Sequence, residues 1–240
     1  MFNLIRTIIW FAYFWITLII LTPSLIRVKV LDKKGEVDKK DSLVNIKVKW
    51  WARSLLKLSG CEIEVIGKEN IPKDKNVLFV SNHQGNFDIP ILLAHIEKPK
   101  AFIAKKELEK LPLVNRWMKA MNCIFMDRKS PRESIKSILT GIELLKDGYS
   151  LVLFPEGTRS EDGKLREFKP GGLKLATKSK VPIIPVTING SKDIMKKGSL
   201  SIRPAKVTVI ISKAIDVSEY SDDTKELTQD IYNIISKNLV

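Results

Sequence analysis

The sequence is poor in the residues that build metal and disulfide sites. Its 240 residues include two cysteines, Cys61 and Cys123, and two histidines. The cysteines lie far apart and form no Cys-x-x-Cys pair, which argues against a disulfide scaffold and against a cysteine zinc site. Two histidines are also too few for an ordinary zinc enzyme, and no His-Glu-x-x-His motif occurs. We therefore expect a protein of a reducing compartment that binds no metal.

Several well-known nucleotide-binding and hydrolase motifs are also missing. The chain has no Walker loop, no Gly-x-Gly-x-x-Gly and no Gly-x-Ser-x-Gly, which argues against a P-loop enzyme, a dinucleotide-binding domain and a serine hydrolase elbow. The length suits one α/β domain, or one domain plus a small appendage. With 44% apolar and 28% charged residues, the chain is neither a disordered protein nor a polytopic membrane protein.

Negative charge is scarce relative to positive charge. The chain has 41 Lys and Arg against 27 Asp and Glu, a formal charge of +14. Residues 1–60 carry half of this excess, because they hold 11 basic and 4 acidic residues. A basic end of this kind favours an anionic partner, either a membrane surface or nucleic acid. The alternative is a generally basic protein whose lysines serve solubility.

The N-terminal segment has no charge between Arg6 and Arg27. It predicts an apolar helix at about residues 7–22, ended by Pro23, with a length of roughly 24 Å. This is a little short of the bilayer core of about 30 Å. A signal peptide and a buried core helix are the alternatives; no small-x-small cleavage site supports the first. The aromatic residues that we expect to bind the membrane here are Trp10, Phe11, Phe14 and Trp15.

A second, amphipathic helix is predicted at about residues 43–59. Its apolar stripe includes Val44, Val48 and Leu55, and tryptophans flank it. A helix with an apolar face, a basic face and tryptophans is typical of a membrane interface, although packing on its own domain is the alternative. The membrane-binding residues expected here are Lys49, Trp50, Trp51, Arg53 and Lys57. With a polar turn at 32–40, residues 1–60 are interpreted as a helical hairpin that anchors the protein to an anionic membrane; no nucleic acid is expected.

Residues 61–240 alternate between strand and helix patterns. The predicted strands lie at 62–66, 77–81, 101–104, 123–126, 151–154, 183–188 and 207–211. The predicted helices lie at 89–96, 113–121 and 131–145, with a last helix capped by Ser221. This alternation predicts an α/β domain with a mostly parallel sheet of about seven strands and helices on both faces. Ligands of such sheets bind beyond the carboxyl ends of the strands.

Chemically useful residues follow two of these strands. His83 comes directly after one strand, and Asp88 follows five residues later near a helix start. A histidine can accept a proton near neutral pH, and a carboxylate on its other nitrogen would fix its tautomer. The alternative is that His83 is a loop residue with a structural hydrogen bond and no catalytic role. His95 receives no role.

A second cluster follows the strand at 151–154 and consists of Glu156, Gly157, Thr158 and Arg159. A guanidinium suits phosphate, and a glycine lets backbone amides approach an anion. Lys105 and Arg128 each follow a strand as well, so they are expected at the same edge. A tight turn and solvated surface charges are the alternative readings.

These segments together resemble the glycerolipid acyltransferase superfamily. Residues 82–88 resemble its His-x4-Asp block, 125–128 its arginine block, 154–160 its second hallmark block and 181–186 its last apolar block. Residues 105–112 resemble the bacterial lysophosphatidate acyltransferases of this family. The five segments occur in family order, and the resemblance covers about residues 50–215.

The resemblance implies transfer of an acyl group from a thioester to the sn-2 hydroxyl of lysophosphatidate, which makes phosphatidate. His83 would be the general base and Asp88 would orient it. Lys105, Arg128 and Arg159 would hold the phosphate. Glu156, Gly157 and Thr158 would shape the acceptor pocket, and backbone amides near the start of the helix after His83 would stabilise the oxyanion.

No cofactor is implied beyond the acyl donor, carried by acyl carrier protein or coenzyme A. The expected place is the cytoplasmic face of the inner membrane, as a monotopic or single-span protein. Glycerol 3-phosphate or another lysophospholipid is the alternative acceptor. A non-catalytic basic protein that binds lipid or nucleic acid is the remaining alternative.

Overall fold

The predicted α/β architecture is confirmed in a computed structural model, which describes residues 2–160, 163–196, 198–220 and 223–240. Seven strands form one sheet in the order β1-β7-β6-β2-β5-β3-β4. The strands are β1 (Glu62–Ile66), β2 (Leu78–Ser81), β3 (Ala101–Lys105), β4 (Ile124–Met126), β5 (Leu151–Leu153), β6 (Ile183–Asn189) and β7 (Lys206–Ile211). Each lies within one residue of a predicted strand at both ends.

The sheet is parallel except at one pair. Strands β6 and β7 run antiparallel, with Val186 opposite Ile211, whereas every other paired neighbour is parallel. Strands β2, β5 and β3 are central, and their residues are almost entirely buried. The carboxyl ends of β2, β5, β3 and β4 therefore lie side by side at one edge of the sheet, called the carboxyl edge below.

Helices cover both faces of the sheet. After the N-terminal helices α1 (Phe2–Ile20), α2 (Thr22–Lys33) and α3 (Val37–Ser59) come α4 (Asp88–His95), α5 (Val114–Ala120), α6 (Pro131–Lys146), α7 (Lys174–Ser179) and α8 (Lys225–Lys237). The start of α6 follows from its sequence, because Pro131 fills its first turn and the Ser130 side chain accepts a hydrogen bond from the Glu133 amide at 3.3 Å. The predicted cap Ser221 lies outside the described residues.

The N-terminal region contains three helices where two were predicted. The apolar helix stops near Pro23 as expected, but the chain continues at once into α2, with Pro23 in its first turn. Proline is tolerated at this position because the first amides of a helix have no partner within the helix. Helix α3 then begins at Val37, so the polar turn shrinks to residues 34–36.

Two separate cores hold these layers together. On one face of the sheet, Leu18, Val48 and Leu55 of the N-terminal helices pack with Phe79 and Ile91. On the other face, Leu78 and Val80 of β2 pack with residues of α6, α7 and α8, among them Ile142, Leu175 and Ile231. The N-terminal helices and α6–α8 therefore lie on opposite sides of the molecule.

Candidate active site

The predicted site residues follow four neighbouring strands. His83 follows β2, Glu156 and Arg159 follow β5, Lys105 ends β3, and Arg128 follows β4. Because these strands are adjacent in the order β2-β5-β3-β4, the residues are distributed along the carboxyl edge. The fold thus brings together segments that are far apart in the sequence.

His83 and Asp88 form a direct pair. The His83 Nδ1 lies 2.7 Å from Asp88 Oδ2, and Asp88 is completely buried while the histidine side chain is 15% exposed. The histidine ring also stacks on Phe154, with ring centroids 4.1 Å apart. With Nδ1 donating to the carboxylate, the Nε2 atom is left as the free acceptor. The geometry therefore suits a general base.

Three further groups hold the Asp88 carboxylate. The amides of Gln84 and Gly85 donate to Oδ2 at 2.8 and 2.9 Å, and the Ser191 hydroxyl donates to Oδ1. Ser191 is fully buried and follows β6 directly after Gly190. Sequence reasoning missed this serine, although it too stands just beyond the carboxyl end of a predicted parallel strand, with a glycine between.

Glu156 is placed differently from the expected acceptor pocket. Its buried carboxylate accepts the His83 amide at 2.6 Å and the Arg166 amide at 3.1 Å. Burial raises the pKa of this carboxyl, and the two amide hydrogen bonds partly oppose the rise. Glu156 therefore holds the backbone of the loop that carries His83.

The backbone amides of residues 83–85 already have hydrogen-bond acceptors. The amides of His83, Gln84 and Gly85 already donate to the carboxylates of Glu156 and Asp88. An amide that is held by a carboxylate cannot also bind a developing oxyanion without rearrangement. These three amides are therefore not free for that role, and the oxyanion role of the amides near the start of α4 stays a prediction.

The cations of the carboxyl edge bridge neighbouring loops. The Arg159 guanidinium donates to the side-chain carbonyl of Asn86, two residues before Asp88. The Arg128 guanidinium donates to the backbone carbonyl of Gly157. Gly157 has a positive φ of 70°, a conformation that glycine adopts without strain. These contacts join the loops after β2, β5 and β4 into one surface.

Lys105 and Thr158 lie at the rim of this surface. The Lys105 ammonium forms an exposed ion pair with Glu107 at 2.9 Å. Thr158 is exposed between Gly157 and Arg159. Over the described ranges, no group of three His, Cys, Asp or Glu side chains is arranged to hold a metal ion.

The aromatic residues predicted to bind membrane divide into two groups. Trp10 is buried, donates from Nε1 to the Leu55 carbonyl at 2.9 Å, and packs on Phe87 with ring centroids 5.3 Å apart. It lies in the core, so its place differs from the predicted lipid contact. Trp15 and Trp50, in contrast, are exposed.

The remaining members of that set pack between the helices or lie on the surface. Phe14 stacks edge-on against Trp51, whose Nε1 donates to Thr17 Oγ1 at 3.1 Å, and Phe11 packs against the core. Lys49 pairs with Glu97 at 2.7 Å, and Arg53 reaches the same carboxylate at 3.5 Å. Lys57 is exposed.

The N-terminal helices expose many apolar side chains to solvent. Helix α1 is long and apolar enough to cross a membrane, and only 22% of its apolar window is buried. Its outward residues continue onto α2 and α3. The exposed apolar side chains of these helices include Ile5, Ile8, Ile9, Ile16, Ile19, Ile20, Ile26, Val30 and Ile46.

Comparison with known proteins now assigns a family. Residues 62–189, more than half of the chain, match the family model described as Acyltransferase. The chain belongs to this acyltransferase family. The match spans the loops that carry His83, Asp88, Arg128 and Arg159.

Relatives of this acyltransferase cover most of its length. The 1-acyl-sn-glycerol-3-phosphate acyltransferase of Borreliella burgdorferi is 34% identical over 195 residues, covering 81% of this chain and 76% of the relative. A probable 1-acyl-sn-glycerol-3-phosphate acyltransferase of Mycoplasma pneumoniae is also 34% identical, covering 76% and 73%. The crystal structure of the 1-acyl-sn-glycerophosphate (LPA) acyltransferase PlsC from Thermotoga maritima superposes with a TM-score of 0.85 at 31% identity. That match covers 98% of this chain and 95% of the other.

Proposed function

We propose that this acyltransferase transfers an acyl group from an acyl thioester to the sn-2 hydroxyl of lysophosphatidate and makes phosphatidate. The observation that carries the proposal is the buried His83–Asp88 pair at the carboxyl edge, with cations on the neighbouring strand ends. The names of the relatives support lysophosphatidate as the acceptor.

The reaction needs one base and one acid, and His83 serves as both. Its Nε2 takes the proton of the acceptor hydroxyl while the oxygen attacks the thioester carbonyl carbon. The carbon–sulfur bond then breaks, and the imidazolium returns the proton to the departing sulfur. The products are an ester and a free thiol, so no redox partner or cofactor is required. Proton transfer of this kind contributes about 10²–10⁴ in rate.

Asp88 and its donors keep the imidazole ready for this step. The carboxylate stabilises the imidazolium and fixes the Nδ1–H tautomer, which leaves Nε2 toward the substrate. Arg159 with Lys105 and Arg128 holds the acceptor phosphate. Arginine is suited to this because its planar guanidinium binds phosphate oxygens in pairs.

In this proposal the enzyme lies on one leaflet at the cytoplasmic face of the inner membrane and is anchored by its N-terminal helices. The apolar surface of α1–α3 supports insertion, and basic residues lie on the same helices. We favour a monotopic arrangement because α1 contacts the α/β domain at two points and is therefore not free to cross the bilayer by itself. Thr7 Oγ1 accepts the Ile202 amide at 2.9 Å, and Trp10 packs on Phe87, the residue before Asp88.

The test is thiol release by purified protein in detergent micelles. Acyl-coenzyme A and acyl carrier protein thioesters are each offered with lysophosphatidate, with glycerol 3-phosphate or without an acceptor. Release should require lysophosphatidate and fall by at least about 100-fold in His83→Ala, which removes the base. Arg159→Ala should mainly raise the KM for lysophosphatidate.

The outcomes separate the parts of the proposal. Release that depends on glycerol 3-phosphate instead would reject the acceptor and retain the chemistry. Normal turnover in folded His83→Ala would reject the base. An unchanged KM in Arg159→Ala would remove Arg159 from the phosphate site. No release from either donor would reject the enzymatic proposal.

A further inference from the structure

The outer face of α6 carries an exposed apolar pair on the side of the sheet away from the N-terminal helices. Ile135 and Leu139 are 63% and 57% exposed and lie one helical turn apart, so they share one surface. The buried side of the helix is formed by other residues, among them Gly141, Ile142 and Leu145. Packing in the core therefore does not explain why Ile135 and Leu139 are apolar.

Charged side chains surround this pair, and the cations among them outnumber the carboxylates. Arg132 and Lys136 are exposed on the same helix, and neither forms an ion pair with any residue that the structure describes. Together with Ile135 and Leu139 they are called the α6 face below. Helix α7, which packs beside α6, adds the exposed Lys174.

Helix α6 also exposes Glu133 and Glu143, and Glu143 pairs with Lys146 at 3.0 Å. Four cations (Arg132, Lys136, Lys146 and Lys174) thus stand against two carboxylates, so the surface around the apolar pair keeps a net positive charge. This combination suits docking of an acidic protein.

The α6 face adjoins the active-site edge. Helix α6 starts at Pro131, five residues after the end of β4, and the Ser134 hydroxyl donates to the Asp127 carbonyl at 2.9 Å. The neighbouring Arg128 reaches the Gly157 carbonyl in the loop after β5. A partner bound over Arg132 would therefore lie beside the loops that carry the site.

Other occupants fit less well. A membrane would contact the exposed apolar side chains of α1–α3, which pack on the opposite face of the sheet. A second copy of this chain would bring a net charge of +14 against a basic surface. Nucleic acid would match the charge but would leave Ile135 and Leu139 without an apolar counterpart.

We infer that the α6 face is the docking surface for an acidic protein that carries the acyl thioester. The inference rests on the proposed function, and it names the donor as protein-bound acyl carrier thioester. The cations draw the acidic carrier to the water-exposed side of the enzyme, and the apolar pair packs against it. The thioester arm then enters the carboxyl edge while the acceptor arrives from the membrane side.

The experiment compares two donors on the same variants in detergent micelles. The donors are a palmitoyl thioester of purified bacterial acyl carrier protein and palmitoyl-coenzyme A, both with lysophosphatidate. In the Arg132→Glu/Lys136→Glu variant we expect the KM for the carrier thioester to rise by about ten-fold or more at 50 mM NaCl. The difference should shrink at 500 mM NaCl, because salt screens exposed charges. The KM for the coenzyme A donor should stay within two-fold.

A second variant and a control separate docking from folding. Ile135→Ser/Leu139→Ser should also weaken use of the carrier thioester, but without the strong salt dependence. The control Lys73→Glu/Lys75→Glu makes the same charge change before β2, at the opposite edge of the sheet, and should leave both donors unchanged. Binding of the carrier protein to each variant is measured in parallel by isothermal titration calorimetry.

The results have distinct meanings. An unchanged carrier KM and affinity in both α6 variants would overturn the docking surface, as would equal losses with both donors. A wild-type enzyme that uses only the coenzyme A donor and does not bind the carrier would overturn the inference while supporting the proposed function. Carrier binding through the α6 face without acyl transfer from either donor would retain the surface and reject the proposed function.

Discussion

The hydrogen bond from Ser191 to Asp88 offers a sharp test of how the proposed catalytic pair of His83 and Asp88 is held. Ser191→Ala removes the hydroxyl that donates to Asp88 Oδ1. This carboxylate oxygen then loses its hydrogen bond in a fully buried position. Hydrogen bonds to charged groups are worth about 1.5–3 kcal/mol. Since Oδ2 keeps its amide donors, we expect the lower part of this range. At 1.36 kcal/mol per factor of ten, kcat should fall by roughly ten- to thirty-fold.

The assay separates positioning from general destabilisation. The KM for lysophosphatidate should stay within two-fold, because Ser191 acts on Asp88 and not on the substrate. Ser191→Thr keeps the hydroxyl and should restore most of kcat even if packing lowers its Tm. The matched control is Ser59→Ala, which removes an equally buried hydroxyl that donates to the Leu56 carbonyl at 2.6 Å, away from the site. It should lower the Tm without changing kcat.

The reasoning would be refuted by one clear pattern. If Ser191→Ala lowers the Tm but its kcat matches that of Ser59→Ala, the hydrogen bond stabilises the fold and does not position Asp88. A rise in KM with unchanged kcat would instead place Ser191 in substrate binding.

Two further predictions concern stability and membrane binding. Lys100 is buried, its ammonium donates to the Ile96 and Lys98 carbonyls at 2.8 and 3.0 Å, and burial lowers its pKa to about 7. Its unfolded pKa of 10.5 is higher, so the unfolded chain binds more protons between these values. Lys100 should therefore add stability as the pH rises from about 7 to 10.5, by up to about 1.4 kcal/mol per unit. Urea titrations at several pH values should show that this rise in the free energy of unfolding is lost in Lys100→Met and kept in the exposed control Lys110→Met. The prediction would be refuted if the free energy of unfolding rose equally with pH in Lys100→Met and in the wild type. Trp15→Ser/Trp50→Ser should weaken binding to anionic phosphatidylglycerol vesicles at least ten-fold in flotation assays with little change in Tm, and unchanged flotation would argue against the proposed membrane surface.

Features that depend on residues close together in the sequence could be predicted without the structure. Alternation of apolar runs with turn residues located all seven strands, because a buried parallel strand needs a short continuous apolar segment. His83 and Asp88 are five residues apart around one strand-to-helix turn, so their pairing depends on local geometry. The charge-free run after Arg6 likewise indicated an apolar helix.

Long-range packing decided the rest. The sequence did not specify that β7 runs antiparallel to β6, or that β5 lies between β2 and β3. Only that order carries Glu156 to the His83 amide, and only the adjacency of β6 and β2 brings Ser191 to Asp88. Trp10 and Trp50 both lie in segments that predict membrane-binding helices. In the structure Trp10 is buried against Phe87, whereas Trp50 is exposed. Burial depends on which face each helix presents to its neighbours, and that is fixed by contacts between residues far apart in the chain.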